Sequence, residues 1–170
     1  MVSVDRIMKE ISQEEGVKNT IYRCTAGFRT IGIGHNLDAE SIDSIIGRKL
    51  SSNPKLSDNE IKIVFNHDLN KVMGQLDRTM KWWKELPSFA QYCLISLCFN
   101  MGIGGMVKRN PLKYNGLLGF TNTLKAFAEE RWNDAADGLE SSKWYKQVGQ
   151  RGPKIVKILR TGKFPDGNSE

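Results

Sequence analysis

Histidine is nearly missing from this chain of 170 residues, with His35 and His67 its only two. No paired His or Cys ligands stand at metal spacing, so the pattern of a structural zinc site is absent. Cysteine is limited to Cys24, Cys93 and Cys98. An odd count in a chain with no export signal reads as free thiols in a reducing compartment. Long apolar runs are missing too. The longest, Tyr92 to Phe99, is far too short to cross a bilayer. Asp5, Arg6, Lys9 and Glu10 crowd the first ten residues and exclude a simple secretory signal or signal anchor. There is no internal repeat, low-complexity tract or long charge block. What is present is one domain's worth of ordinary soluble sequence, able to bury about 70% of its unfolded surface. It carries 25 basic against 19 acidic residues, a net charge of +6 and a pI near 9.3. That balance favours a polyanionic partner without choosing among nucleic acid, a membrane surface and bacterial cell wall.

Periodicity divides the chain. Val4, Ile7, Met8 and Ile11 predict a helix that stops near Gly16. Short β-branched and aromatic runs (Thr20 to Tyr22, Phe28, Thr30, Ile31, Ile33), punctuated by Gly27, Gly32 and Gly34, predict a small antiparallel sheet over about 18–37. The remainder reads as helical. Ile42, Ile45, Ile46 and Leu50 predict a helix over 39–50, broken at Asn53-Pro54. Ser57 and Glu60 form a capping-box pattern that opens a long helix with Ile61, Val64, Phe65, Leu69, Val72 and Leu76 on one face. A core helix follows Pro87, and Gly102, Gly104 and Gly105 end it. Residues 103–118 read as a basic loop, with Lys108, Arg109 and Lys113, and further helices are predicted over 120–130, 132–141 and 151–161. The expected class is α+β: a small N-terminal β-sheet lobe and a larger helical lobe joined by a long helix.

The segment densest in chemistry runs from Glu14 to His35. Glu15 stands where the first helix meets the sheet, Cys24 follows nine residues later at a hairpin tip, and Thr30 six residues after that on the next strand. A hairpin folds back on itself, so Cys24 and Thr30 can approach one cleft, and Glu15 at the lobe junction can face them. A carboxyl in a partly dry cleft can serve as a general acid, and a second polar group opposite it can hold or activate water.

Glu15-Gly16, Ile21-Tyr22 and Thr30-Ile31-Gly32-Ile33-Gly34-His35 resemble the lysozyme-like endolysins of tailed phages, glycoside hydrolase family 24. The family signature Glu-x8-(Asp or Cys)-x5-Thr is met by Glu15, Cys24 and Thr30. The resemblance continues in order through Phe99-Asn100-Met101-Gly102, Gly119 to Thr123, Arg131 to Ala136, Lys143-Trp144-Tyr145 and Arg160-Thr161-Gly162. It implies one lysozyme-like domain over 1–170. A helix over 3–15 would pack on the C-terminal lobe, with a β lobe over about 16–56, a linking helix over 58–79 and a helical lobe over 80–164. It implies hydrolysis of the β-1,4 bond between N-acetylmuramic acid and N-acetylglucosamine in peptidoglycan. Glu15 would protonate the leaving oxygen, the group at Cys24 would handle water, and Thr30 would help hold that water. Phe99, Asn100 and Arg151 are implied as substrate contacts. No cofactor or metal is implied. The partners would be peptidoglycan and, for release only, a separate holin. The protein would be a monomer in the host cytoplasm until lysis, and in the periplasm and cell wall afterwards.

Cys24 departs from the aspartate form. Thiolate base, water-orienting dipole, nucleophile and a small structural thiol under the hairpin all remain open for it. A lytic transglycosylase, which needs one glutamate and no second carboxylate, is the nearest alternative, and an inactive lysozyme-like module the next. Nucleic-acid binding rests on charge alone, without a matching motif. His35 reads as a structural hydrogen-bonding residue with Asp68 as its partner. Cys93, Cys98 and the tryptophans read as core. Seven basic residues and no acidic one lie between Lys143 and Lys163, which fits either a solvated helix face or attraction to a bacterial envelope. The 103–118 loop is longer by about a dozen residues than in the T-even members of the resembled family.

Overall fold

The computed structural model describes residues 1–169, with residues 111 and 112 described in their backbone alone. The first helix, α1, spans Val4–Glu15. Its buried stripe is Ile7, Glu10 and Ile11, whereas Val4 is exposed. The chain divides into two units, Met8–Lys71 and Met1–Ile7 with Val72 onward, and the divisions fall inside helices.

In the unit Met8–Lys71, β1 (Lys18–Arg23), β2 (Arg29–Gly32) and β3 (His35–Asn36) form an antiparallel sheet in the order β1-β2-β3. Tyr22 pairs with Thr30, and Ile31 with His35. Helix α2 covers only Asp43–Ile46, not the predicted 39–50. The backbone turns at Asn36, whose carbonyl accepts from Ala39 and Glu40. Beyond Ile46 the Asp43 carbonyl accepts from Arg48 and its carboxylate from Leu50. Arg48 is then held by Glu60, with Nε to Oε1 at 2.6 Å. The apolar spacing of Ile42, Ile45, Ile46 and Leu50 is therefore satisfied by one helical turn flanked by side-chain-closed loops. Helix α3 spans Asp58–Thr79 and opens on the capping box read from the sequence. Ser57 N–H donates to Glu60 Oε2 at 2.9 Å, and Glu60 N–H to Ser57 Oγ at 3.1 Å.

The other unit is built around α4 (Ser88–Met101), which is buried continuously from Ala90 to Cys98. A helix with apolar residues all round is a core helix. Helices α5 (Thr121–Ala128), α6 (Trp132–Glu140), α7 (Lys143–Gln147) and α8 (Arg151–Thr161) follow. The short α7 has no counterpart among the sequence expectations. Its start is fixed by Ser142 Oγ, which accepts from Tyr145 N–H at 3.2 Å. Helix α8 packs on α4 and α6, and α6 on α5. Phe89 and Phe127 meet Trp132 edge-on at 5.3 and 6.1 Å. Cys93, Cys98, Trp83 and Trp144 are buried.

The predicted 103–118 loop is a β-hairpin, with β4 over Met106–Val107 and β5 over Asn110–Tyr114. Its neck explains why glycine-rich sequence forms ordered structure here. Asn115 N–H donates to Gly105 O at 2.9 Å, Gly105 N–H to Asn115 Oδ1 at 2.8 Å, and Leu117 N–H to Gly102 O at 2.9 Å. The backbones approach so closely that a Cβ on Gly104 would collide with the Asn115 carbonyl oxygen. Gly104 also has φ +77°. Substituting Gly104→Ala should therefore destabilise the protein by about 2–4 kcal/mol, strain and overpacking together. Urea denaturation checks this, and a loss under about 1 kcal/mol would show that the neck is looser than described.

Candidate active site

The chemistry-bearing residues Glu15, Cys24 and Thr30 all belong to the unit Met8–Lys71. Glu15 is the last residue of α1 and is half-buried. Its carboxyl lies on the turn between β2 and β3. A Cβ placed on Gly34 would be 3.0 Å from both Glu15 Cδ and Oε2. Gly34 has φ +74°, so this turn favours glycine for backbone reasons as well as for the room it leaves the carboxyl.

Cys24 follows β1 at the start of a tight turn. Its N–H donates to Phe28 O at 3.0 Å, and its carbonyl accepts from Gly27 N–H at 2.8 Å. Burial pushes the thiol pKa up. Donation to the sulfur from the N–H groups of Ala26 and Phe28, the Thr30 hydroxyl and the Gly27 N–H outweighs this, and the pKa falls below the ordinary thiol value. Consecutive N–H groups converging on one point form an anion-binding concavity. Thr30 is buried on β2, and its hydroxyl also reaches the Phe28 carbonyl at 3.0 Å. With a single proton, that hydroxyl serves either the carbonyl or the sulfur. Tyr22 pairs with Thr30 across the β1–β2 ladder. Its phenol pKa is raised, first by burial and then by the negative charges of Glu15 and Cys24.

Neither Tyr22 nor the Gly34 seat was singled out from the sequence as a functional position. The register Tyr22↔Thr30 could have found the first, because a hairpin that brings Cys24 toward Thr30 must place Tyr22 beside Thr30. Ala26 offered no polar side chain, and its contribution is its backbone N–H, which carries no sequence signal.

His35 is buried and held at both ring nitrogens. Nδ1 lies 2.8 Å from Asp68 Oδ2, and Nε2 lies 2.9 Å from the Glu40 carbonyl. Burial lowers the His35 pKa. The hydrogen bond and charge of Asp68, with the Glu40 carbonyl and carboxylate, more than reverse this, and the pKa is raised. Nearby, His67 Nε2 lies 3.1 Å and Lys71 Nζ 2.5 Å from the Glu40 carboxylate. Among the described residues, Glu40, His67 and Asp68 bring donor atoms within 4.8 Å of one another, a ligand set that linear spacing did not reveal. Its oxygens are already engaged by Lys71 and His35.

In the other unit, Phe99 is half-buried and Asn100 exposed near the end of α4. Asn100 Oδ1 accepts from Trp144 Nε1 at 2.9 Å, which ties the end of α4 to α7. Arg151 opens α8 and is 6% exposed, so little of it reaches solvent. Cys98 contrasts with Cys24, because burial pushes its thiol up to about 12.

An α+β chain with a small antiparallel sheet, a helical unit and this constellation of glutamate, thiol and threonine falls in the class of lysozyme-like glycosidases. The family described as phage lysozyme matches residues 12–160, and the chain belongs to that family. It is 26% identical to "Probable T4-type lysozyme 1" of Dictyostelium discoideum over 94% of this chain and 96% of that one. It is 25% identical to "Probable T4-type lysozyme 2" of the same organism, over the same shares. It is also 26% identical to "Pre-baseplate central spike protein Gp5" of Enterobacteria phage T4, over 89% of this chain but 27% of that protein.

Two outcomes follow from this geometry. The His35–Asp68 pair has a raised His pKa, so its stabilisation is complete below the unfolded histidine pKa of about 6.5 and is lost as pH rises through the higher folded value. The melting-temperature gap between the wild type and Asp68→Asn should therefore be widest near pH 5.5 and shrink toward pH 9. A gap independent of pH would show that the pair is not charged. Separately, Cys24 should alkylate with iodoacetamide at neutral pH far faster than Cys93 or Cys98, and Thr30→Val should move the midpoint of its rate–pH profile upward. An unchanged midpoint would remove the hydroxyl from the thiolate's support.

Proposed function

We propose that the protein is a phage endolysin, a muramidase that hydrolyses the β-1,4 bond between N-acetylmuramic acid and N-acetylglucosamine in peptidoglycan. The observation that carries this reading is the seat of the Glu15 carboxyl on the Gly34 turn, in the unit that also holds Cys24 and Thr30. In this reading Glu15 gives its proton to the glycosidic oxygen as the bond from the muramic C1 to that oxygen breaks. Positive charge grows on the sugar ring, and the Cys24 thiolate supplies nearby negative charge. Water adds at C1, oriented by Cys24 and Thr30, and its proton passes to the Cys24 thiolate acting as the base. The resemblance assigns substrate contacts to Phe99, Asn100 and Arg151. We further infer that the enzyme acts as a monomer. It would accumulate in the host cytoplasm and reach the cell wall once a holin permeabilises the membrane.

One observation favours a second reading. Position 24 carries a thiol rather than a carboxylate, and a lytic transglycosylase cleaves the same bond with a single glutamate. In that reaction the muramic C6 hydroxyl, not water, closes on C1.

Digestion of purified sacculi followed by mass spectrometry separates the two: reducing muramic ends support hydrolysis, and 1,6-anhydro ends replace it with the transglycosylase. Glu15→Gln should lower turnover by at least about 100-fold at unchanged melting temperature, since it removes the general acid. Activity within a few-fold of wild type would overturn the role of Glu15.

A further inference from the structure

The hairpin of β4 and β5 is left over once the active site has been described. Met106 and Tyr114 are cross-strand partners on it, and both are exposed, at 57% and 44%. Neighbouring large apolar side chains so open to water are unusual unless something covers them. Tyr114 also walls a groove of about 400 Å³ together with Trp82, Leu118 and Leu124, with Lys125 at its rim. The turn and strand beside this pair carry Lys108, Arg109 and Lys113, all exposed. Among the described residues none of the three is in an ion pair. Elsewhere in the structure Arg29, Arg48, Arg131 and Arg160 are neutralised by carboxylates. The hairpin has no such carboxylate to draw on from its own stretch of chain, because no acidic residue occurs between Glu85 and Glu129.

We propose that this hairpin docks on an anionic phospholipid bilayer, with Met106 and Tyr114 entering the interface and Lys108, Arg109 and Lys113 on the lipid headgroups. Charge complementarity selects the occupant. Binding to such a surface grows with the apolar area buried and with the number of cations near anionic headgroups, and the hairpin offers both. Tyrosine suits the interface because its ring is apolar and its hydroxyl stays wet. An uncharged saccharide surface would leave three cations without counter-charge, and a soluble polyanion would leave Met106 and Tyr114 in water. The inference stands apart from the catalytic reading, since it uses none of the residues placed in catalysis or substrate binding.

Co-sedimentation of the full chain with vesicles tests it. One set holds about 30 mol% phosphatidylglycerol in phosphatidylcholine, the other phosphatidylcholine alone, both at about 0.1 M salt. The wild type should sediment with the anionic set and not with the neutral one. Lys108→Ala with Arg109→Ala should lower partitioning about 30-fold, at roughly fivefold for each cation removed. Met106→Ser with Tyr114→Ser, which leaves the charge untouched, should lower it about 10-fold. Lys143→Ala with Lys146→Ala removes the same charge from exposed positions on α7 and should cost much less. Absence of sedimentation, or an equal loss from the α7 pair, overturns the proposal. So does a result in which the hairpin variants keep vesicle binding but lose binding to isolated sacculi, which would make the hairpin a substrate contact instead.

Discussion

The contact on which the site depends is the packing of the Glu15 side chain against the Gly34 backbone. It ties the C-terminal end of α1 to the β2–β3 turn. The carboxyl is therefore placed by two elements whose positions are set by separate forces. The helix is anchored by Ile7 and Ile11, buried at about zero exposure. The turn is anchored by Ile31 and Ile33 on either side of Gly32 and by the double hydrogen bonding of His35. A carboxyl held in this way has its position set by backbone packing on both sides of the contact. Any side chain at position 34 would take the space the carboxyl occupies.

The thiol at position 24 is the second dependency, and here backbone geometry does what side-chain chemistry does elsewhere. A carboxylate is anionic at neutral pH unaided, while a thiol is not. The turn from Cys24 to Phe28 converges several N–H groups on the sulfur, and Thr30 adds a hydroxyl. The result is a thiol whose pKa lies below the ordinary value. The two environments contrast: burial raises the Cys98 pKa, while that of Cys24 is lowered. Thiolate base, nucleophile and water-orienting group all remain compatible with that environment, because each is served by negative charge at this point.

Elements whose signals are local were legible in the chain itself. Ser57 and Glu60 announce α3, Pro87 precedes α4, and the Arg151-Gly152-Pro153 start of α8 follows from the tolerance of proline in a first turn. The Glu15, Cys24, Thr30 spacing was legible as a signature, although spacing alone does not describe how the three are held. The misreadings share one cause, which is that distant groups settle local structure. Residues 39–50 have helical periodicity, yet Asp43 and Glu60 capture the backbone and side chain that would have continued the helix. Residues 103–118 have loop composition, yet the backbone of Gly102 to Gly105 meets that of Asn115 to Leu118 and closes a hairpin neck. The Glu40, His67, Asp68 grouping is invisible in sequence because α3 brings two of its members to a loop residue more than twenty-five positions away.

Charge is where the structure changes the meaning of composition most. The Lys143 to Lys163 stretch reads as an unbroken basic face, but it is partly compensated by carboxylates of α6. Arg160 reaches Asp137 at 2.9 Å and Glu140 at 2.5 Å on α6, so its charge is offset by two carboxylates. Lys154 lies 5.6 Å from the centre of the Tyr92 ring, where its stem is packed and its charge meets a π face. The hairpin has fewer basic residues, and among the described residues none of Lys108, Arg109 and Lys113 is in an ion pair. A net charge of +6 is thus not spread evenly in its effect. Cations that already have carboxylate partners contribute little to the field seen by an approaching surface, while unpaired exposed ones contribute in full within a Debye length of about 8–10 Å. In the proposed docking, what sets the hairpin apart from the equally acid-free Lys143 to Lys163 stretch is that its cations lie beside the exposed Met106 and Tyr114 pair.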